Sequence, residues 1–372
     1  MTTPTFDPGF STEAMAAVLA PAARVEAICR FEAALAAASA DHGVVPREIA
    51  ERIVAACTDP VHDPGTVLAE GWARGTPVMP LLERLRARLD DEAARWLHHG
   101  ATTQDVVDTA LMLQLSEALA ALRVDLVRVA HALRSIAVGH RDTPAAAWTF
   151  LQPAVPTTVG RRAAGWLQPV VTHLAQLRVL QAGLPLQLGG AAGTLDGFGD
   201  DGIGIVASVA ERLGLVATTL PWHTDRTPIT TVVAALERVA RTMAKVGIDI
   251  GLLAHDGAAT TRAGGSTSMP GKRNPIDAIR AIAAAEACSG AASIVLRGKP
   301  HELERGLGGW HAEWLAVPLV LHTVAAAVEA TADAVGSLEI IESSGTPTDG
   351  PTPGIAAMVD RVVADCDEEL SR

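Results

Sequence analysis

Tyrosine is absent from the 372 residues, phenylalanine occurs five times, and aromatic residues together make up 3%. Sheet-based folds draw on aromatic and β-branched residues, so this scarcity leaves few strand signals. Cysteine is sparse too. Cys29, Cys57, Cys288 and Cys366 form no CxxC pair, which argues against a zinc knuckle or a disulfide framework and fits a reducing cytoplasm. Positive charge is in deficit, with 30 Lys and Arg against 42 Asp and Glu and a net charge of −12. A partner such as nucleic acid or an anionic membrane would favour a basic face, so neither is expected. Charges interrupt the apolar residues every few positions, and no run is expected to reach the ~20 apolar residues that cross a bilayer. The start, "MTTPTFDPGFSTEAM", lacks the basic and apolar regions of an export leader. A soluble cytoplasmic protein is the expectation.

What is abundant is helix. Hydrophobic residues make up 49% of the chain, enough for a large core. From 228 to 255, Val232, Leu236, Val239, Met243, Val246, Ile250 and Leu253 alternate steps of four and three, the seven-residue repeat of bundle helices. Leu115, Leu119, Leu122, Leu126, Val129 and Leu133 do the same within 106–138, and 159–183 and 312–340 read as further long helices expected to run without a break. The fold class is therefore all-α, a bundle of long antiparallel helices. Residues 1–105 read as shorter helices, broken by "VVPRE", "TDPVHDPG" and "GTPVMP", and form a separate N-terminal helical domain. The central long-helix domain spans 106–343. Residues 344–372 read as a linker, "SSGTPTDGPTPG" at its core, and one short helix at about 354–370.

Four stretches carry chemistry. "GGSTSMPGKRNP" (264–275) combines flexible glycines, hydroxyls on Ser266, Thr267 and Ser268, and donors on Lys272, Arg273 and Asn274, suited to closing over a carboxylate. It is not a phosphate loop, because five residues separate Gly265 from the Gly271–Lys272 pair and arginine follows; a solvated linker is the plain alternative. "HHGATTQDVVDT" (98–109) puts His98, His99, Thr102, Thr103, Gln104, Asp105 and Asp108 at the start of the first long helix. N-capping explains one such residue rather than seven. A zinc site of His98, His99 and Asp105 is a weak reading, since adjacent histidines seldom converge on one ion. "WTFLQPAVPTTVG" (148–160) and "HELERGLGGWHAEW" (301–314) complete the set, the latter with a salt-bridged surface as its alternative. "GFGDDG" (197–202) fits a GxGxxG pattern, but no strand precedes it and two aspartates would face a pyrophosphate, so the match is put down to chance.

In this order the stretches resemble the fumarase/aspartase superfamily. "GGSTSMPGKRNP" is similar to its GSSxMPxKxNP signature, "HHGATTQD" to its HxGxTSxD segment, and "WTFLQPAVPTTVG" to its RTxxQxAxPxTxG segment. Within it, "RFEAALAAASADHGVVP", "PWHTDR" (221–226), "HELERGLGGWHAEW" and the aromatic Phe150 resemble the muconate-type cycloisomerase branch. Trp148 stands where the segment usually has arginine, and Gly271 where cycloisomerases often have histidine.

The resemblance implies an N-terminal helical domain, a central bundle and a missing or vestigial C-terminal domain. It implies a homotetramer with active sites shared between subunits, and a small polycarboxylate substrate. No metal or organic cofactor is implied, because one carboxylate of the substrate adds across its own double bond. Ser266, His98 and Lys272 match the catalytic positions. Thr102, Thr103, Gln152, Ser268, Asn274, Arg226 and Arg305 match, or lie beside, those that bind substrate carboxylates. Two other readings remain at this stage: a lyase for a succinyl adduct such as adenylosuccinate, argininosuccinate or nitrosuccinate, and a catalytically silent helical scaffold.

Overall fold

A computed structural model of the chain describes residues 7–262, 264–265, 267–269, 271–341 and 353–372. The first hundred residues form α1 (Glu13–Val18), α2 (Pro21–Asp41), α3 (Arg47–Thr58), α4 (Pro64–Ala73), α5 (Val78–Arg86) and α6 (Asp91–Trp96), interrupted where proline and glycine cluster. The long helices follow: α7 (Thr103–Gly139), α8 (Val159–Ala182), the shorter α9 (Gly202–Leu213), α10 (Thr227–His255), α11 (Ile276–Leu296) and α12 (Gly309–Gly336), with α13 (Pro353–Leu370) last. The seven heptad residues of α10 and the six of α7 are all buried.

The buried side chains sort into two large clusters. One is the bundle core of α7, α8, α10, α11 and α12, joined by Met15 of α1 and Cys366 of α13. The other packs α2, α3 and α5 against α9, Phe198 and the first turns of α7, from Val106 to Leu113. The helix α7 thus threads both cores, and α12 reaches the second through Trp310. The linker expected from 344 lies mostly outside the described residues, as residues 342–352 are not described. Beyond it α13 lies against α7 and α8, where Arg134 meets Asp367, Arg141 meets Asp360, and Arg178 meets Glu369.

Two features differ from the sequence reading. Two small two-stranded sheets accompany the helices: β1 (Pro144–Thr149) pairs antiparallel with β2 (Gln152–Thr158), and β3 (Ala259–Thr260) with β4 (Glu339–Ile340). The β1–β2 turn is held by Phe150 and Leu151, both at positive φ (52° and 58°), which primed two-residue turns require and which bulky residues rarely adopt. Both α8 and α12 run unbroken, as expected, although they contain Pro169 and Pro318. An internal proline removes one helical hydrogen bond, but its neighbours Leu167, Val170, Val317 and Val320 are buried and hold each helix in place.

Finally, α11 and α12 are long and apolar enough to cross a membrane, with mean hydropathy 1.5 and 1.6, which corrects the expectation that no run comes near this length. Alanine accounts for the difference, since it raises hydropathy without adding bulk. The apolar window of α12 is 72% buried within the fold, as for a core helix, whereas that of α11 is 33% buried and leaves Ile279 and Ile294 exposed.

Candidate active site

The first cluster of functional side chains forms where α7 begins. Thr102 is the N-cap, and a capping box closes between its side chain and Asp105, whose Oδ2 accepts from the Thr102 N–H at 2.9 Å. Asp105 has 0% exposure and three further donors: the backbone N–H groups of Gly189 and Gly190, each at 2.9 Å, and His223 Nε2 at 2.7 Å. Four donors on one carboxylate satisfy a buried charge. The cap accordingly does more than start a helix: it ties the distant "PWHTDR" stretch to α7. Gly190 takes φ +76°, and a side chain there would meet the Gly100 carbonyl oxygen at 2.8 Å.

One turn on, Asp108 is 1% exposed and binds Arg226 Nη1 at 2.7 Å, Arg226 Nη2 at 3.0 Å and Trp310 Nε1 at 2.9 Å. The same guanidinium reaches Glu313, through Nε at 3.1 and 3.2 Å and Nη2 at 2.6 Å, and lies 4.9 Å from the Trp222 ring centroid. Burial opposes the charge on Arg226, but Asp108 and Glu313 outweigh it and raise its pKa above the ordinary value. Its hydrogen bonds go to two carboxylates within its own chain, so it neutralises them instead of offering free charge to a ligand. The salt-bridge alternative for 301–314 is thus realised at Glu313.

Arg305 is disposed differently. Nη1 donates to Gln104 Oε1 at 2.8 Å and Nη2 to the carbonyls of Gly190 and Ala191 at 3.1 and 2.7 Å, with no carboxylate partner among the described residues. Gln104 is oriented by donating its Nε2 to Asp108 and to the His223 carbonyl. The Arg305 charge is therefore not neutralised by a carboxylate among the described residues. Thr103, the first residue of α7, is half-buried beside this group.

His98 stands at φ +67° just before this start, and Nδ1 lies 2.7 Å from Oε1 of Glu32 on α2. Burial works against the imidazolium. The Glu32 charge and hydrogen bond, with Asp105 farther off, more than compensate, so the His98 pKa is raised, while Arg86 pulls the other way. Sequence reasoning missed Glu32. A signal was present, since Glu32 sits in an alanine-rich helix between Phe31 and Leu35, which are buried, where a lone carboxylate needs a partner.

The remaining residues lie elsewhere. The 264–275 loop is closed at its base by reciprocal backbone bonds between Gly264 and Asn274, at 3.0 and 3.2 Å, and the Asn274 amide reaches the Gly265 carbonyl at 3.4 Å. Arg262 anchors its approach by pairing with Asp277 at the start of α11. Lys272 and Ser268 are exposed. Ser266 lies outside the described residues. Gln152 is exposed as the first residue of β2, and beside the hairpin a cavity of about 950 Å³ is lined by Trp148, Arg161, Arg162, Lys245 and Asp256.

Two half-sites result. His98, Thr102, Thr103, Arg226 and Arg305 gather where α10 begins; Gln152 on the β1–β2 hairpin and Ser268, Lys272 and Asn274 on the loop before α11 belong to segments at its other end. The 29 residues of α10 separate them by about 43 Å at 1.5 Å per residue. The zinc reading of His98, His99 and Asp105 finds no support, because no group of three or more His, Cys, Asp or Glu suited to a metal occurs among the described residues. Residues 196–201, around the GxGxxG match, form a 3₁₀ turn leading into α9 with Phe198 buried, and the segment follows a loop, not a strand.

Known proteins resemble the chain along most of its length. A family model described as lyase matches residues 12–288. A 3-carboxy-cis,cis-muconate cycloisomerase of Pseudomonas aeruginosa is 41% identical over 348 residues, covering 91% of this chain and 75% of its own. A nitrosuccinate lyase of Streptomyces davaonensis is 38% identical over 315 residues, covering 80% and 66%. Among solved structures, the 3-carboxy-cis,cis-muconate lactonizing enzyme of Pseudomonas putida superposes with a TM-score of 0.84 at 34% identity, covering 97% of this chain and 79% of that one. With its helical architecture and its three sequence segments, the chain belongs to the lyase family of the fumarase/aspartase superfamily.

Proposed function

We propose that the chain is a 3-carboxy-cis,cis-muconate cycloisomerase, forming 4-carboxymuconolactone in the β-ketoadipate route of protocatechuate breakdown, in the cytoplasm. The observation that carries this is the 41% identity to an enzyme of that name over 91% of the chain. In the reaction a substrate carboxylate oxygen bonds to a carbon of the diene, and the displaced electron pair moves onto the carbon next to another carboxylate as an enolate-like dianion. That carbon then takes up a proton. A trianion becomes a dianionic lactone with one proton consumed.

Ser266 supplies that proton, and Lys272 and Asn274 stabilise the developing dianion from the same loop. His98, Thr102, Thr103 and Arg305 bind carboxylates at the other half-site, Gln152 and Ser268 complete the binding surface, and Arg226 acts indirectly by neutralising Asp108 and Glu313. Because the half-sites lie about 43 Å apart in one chain, a complete site joins one end of one subunit to the other end of its neighbour. A homotetramer provides this. Phe150, fully exposed beside Gln152, and the apolar outer face of α11 supply surfaces for subunits to cover.

The test is loss of the conjugated-diene absorbance of 3-carboxy-cis,cis-muconate, with uptake of one proton per turnover in weak buffer. Ser266→Ala is expected to fold normally and lose nearly all turnover; an active Ser266→Ala enzyme refutes the assignment. The relative that cleaves nitrosuccinate supports one competing substrate class. A folded protein inert to the muconate but active on a succinyl adduct assigns the chain to that class.

A further inference from the structure

We propose that Glu32 is a positioning residue for His98, keeping the proton on Nδ1 so that Nε2 is the ring atom presented to a substrate carboxylate. The proposal rests on the reading that His98 belongs to the active site, and it gives a role to a residue of the "RFEAALAAASADHGVVP" stretch to which the resemblance assigns none.

The geometry is specific. Glu32 lies on α2 among buried apolar residues, Ile28 one turn before and Leu35 nearly one turn after, and its side chain has no exposure. One oxygen, Oε1, lies 2.7 Å from His98 Nδ1, while Oε2 is buried with no hydrogen-bond partner among the described residues. An ion pair kept only for stability would be expected to satisfy both oxygens, because an orphaned buried acceptor is unfavourable. Here the carboxylate has been placed for one contact. The imidazole keeps 15% exposure, and Nε2, on the side away from Glu32, has no partner among the described residues.

The backbone supports the same reading. His98 is held at φ +67°, a left-handed conformation that is uncommon outside glycine, so the ring's position is tied to this turn of the backbone. The charged groups acting on the ring are Glu32 from α2, Asp105 from α7 and Arg86 from α5, two carboxylates against one guanidinium. Of these, Glu32 is the one hydrogen-bonded to the ring, so it sets both the tautomer and the ease of protonation. With Nδ1–H directed at Glu32, Nε2 carries a lone pair in the neutral ring and an N–H in the charged one. The charged form is a donor suited to a polycarboxylate substrate.

The experiment follows His98 by NMR titration in the intact enzyme, its signal assigned by its disappearance in His98→Gln. In Glu32→Gln the amide oxygen can still accept from Nδ1–H but the charge is gone. The expected result is that His98 titrates above the ordinary histidine value in the wild type and about one pH unit or more lower in Glu32→Gln, with the basic limb of kcat/KM moving by the same amount. KM should rise more than kcat falls. Glu32→Asp, which keeps the charge, should retain the high titration, and it serves as the second variant if Glu32→Gln does not fold. In a His98→Gln background, Glu32→Gln should lower kcat/KM no further.

Identical His98 titration with and without the Glu32 charge overturns the proposal, as does an undiminished effect of Glu32→Gln when His98 is already gone. Because the titration involves no substrate, a chain inert to the muconate that still shows the shift disproves the substrate reading and leaves the Glu32–His98 pairing standing.

Discussion

Replacing Arg226 by methionine tests the buried charge cluster behind the first half-site. The guanidinium makes five hydrogen bonds to Asp108 and Glu313, and the three side chains are 8%, 1% and 7% exposed. Methionine fills comparable space, so packing changes little. Asp108 keeps its bonds from Gln104 and Trp310, but Glu313 is left, among the described residues, with only His301, 3.8 Å away. Removing one partner of a buried pair costs about 3–5 kcal/mol, a large share of the 5–15 kcal/mol that typically holds a fold together.

The pH dependence separates this cause from lost packing. Glu313 in Arg226→Met can escape by taking a proton, and forcing a proton onto a group of pKa ~4.3 costs about 1.4 kcal/mol per pH unit above that value. The folded variant then binds more protons than its unfolded chain, so its stability falls as pH rises. The deficit relative to wild type should shrink by up to ~2.7 kcal/mol between pH 7.5 and pH 5.5. The assay is the urea midpoint by circular dichroism at both pH values and one protein concentration. A deficit below about 1 kcal/mol at pH 7.5, or one that does not change with pH, refutes the argument.

Three further outcomes are expected. His98→Ala and Lys272→Ala enzymes, each inactive alone, should regain activity when dissociated and reassembled together, because some mixed sites then draw two intact halves from different chains; no recovery refutes a shared site. His173, whose Nε2 meets Thr242 Oγ at 2.8 Å, has its pKa lowered by burial, then by Arg238, to about 4. Its stabilising contribution is present above the unfolded value of ~6.5 and is lost as pH falls to about 4, roughly 3 kcal/mol in all; His173→Gln should flatten acid unfolding curves in that window, and an unchanged slope counts against it. At Gly100, φ +75°, an added Cβ would sit 2.5 Å from the Phe198 ring. Gly100→Ala should therefore lower stability by about 2 kcal/mol or more, partly recovered by Phe198→Leu, as thermal melts would register.

The helices were legible because their signal is local. The four-and-three spacing in α7 and α10 marks residues that prove buried, and the final helix, expected at 354–370, runs Pro353–Leu370. The β1–β2 hairpin escaped because its strands are short, carry prolines, and pair through a turn of two non-glycine residues at positive φ, which no sequence rule anticipates. For the site, the motifs identified the stretches but not the pairings. Asp105 reads as a helix cap in sequence and is also the anchor of His223, 118 residues away. Arg226 resembles a substrate-binding cation until Asp108 and Glu313 are seen around it. Such contacts depend on how the helices are stacked, which local periodicity does not encode.

The helix that threads both cores also acts as a ruler. Over 37 residues, about 55 Å, α7 runs from the half-site at Thr103 to the hairpin that carries Gln152. Inserting a single residue anywhere along it would advance one end by 1.5 Å and rotate it by about 100° relative to the other. The residues of each half would be unchanged, yet in the proposed shared site they would no longer meet across subunits. Its side chains can drift as long as the core stays filled, but its residue count is fixed by geometry, so new specificities are open to the loops at the ends and closed to changes in the length of the shaft between them.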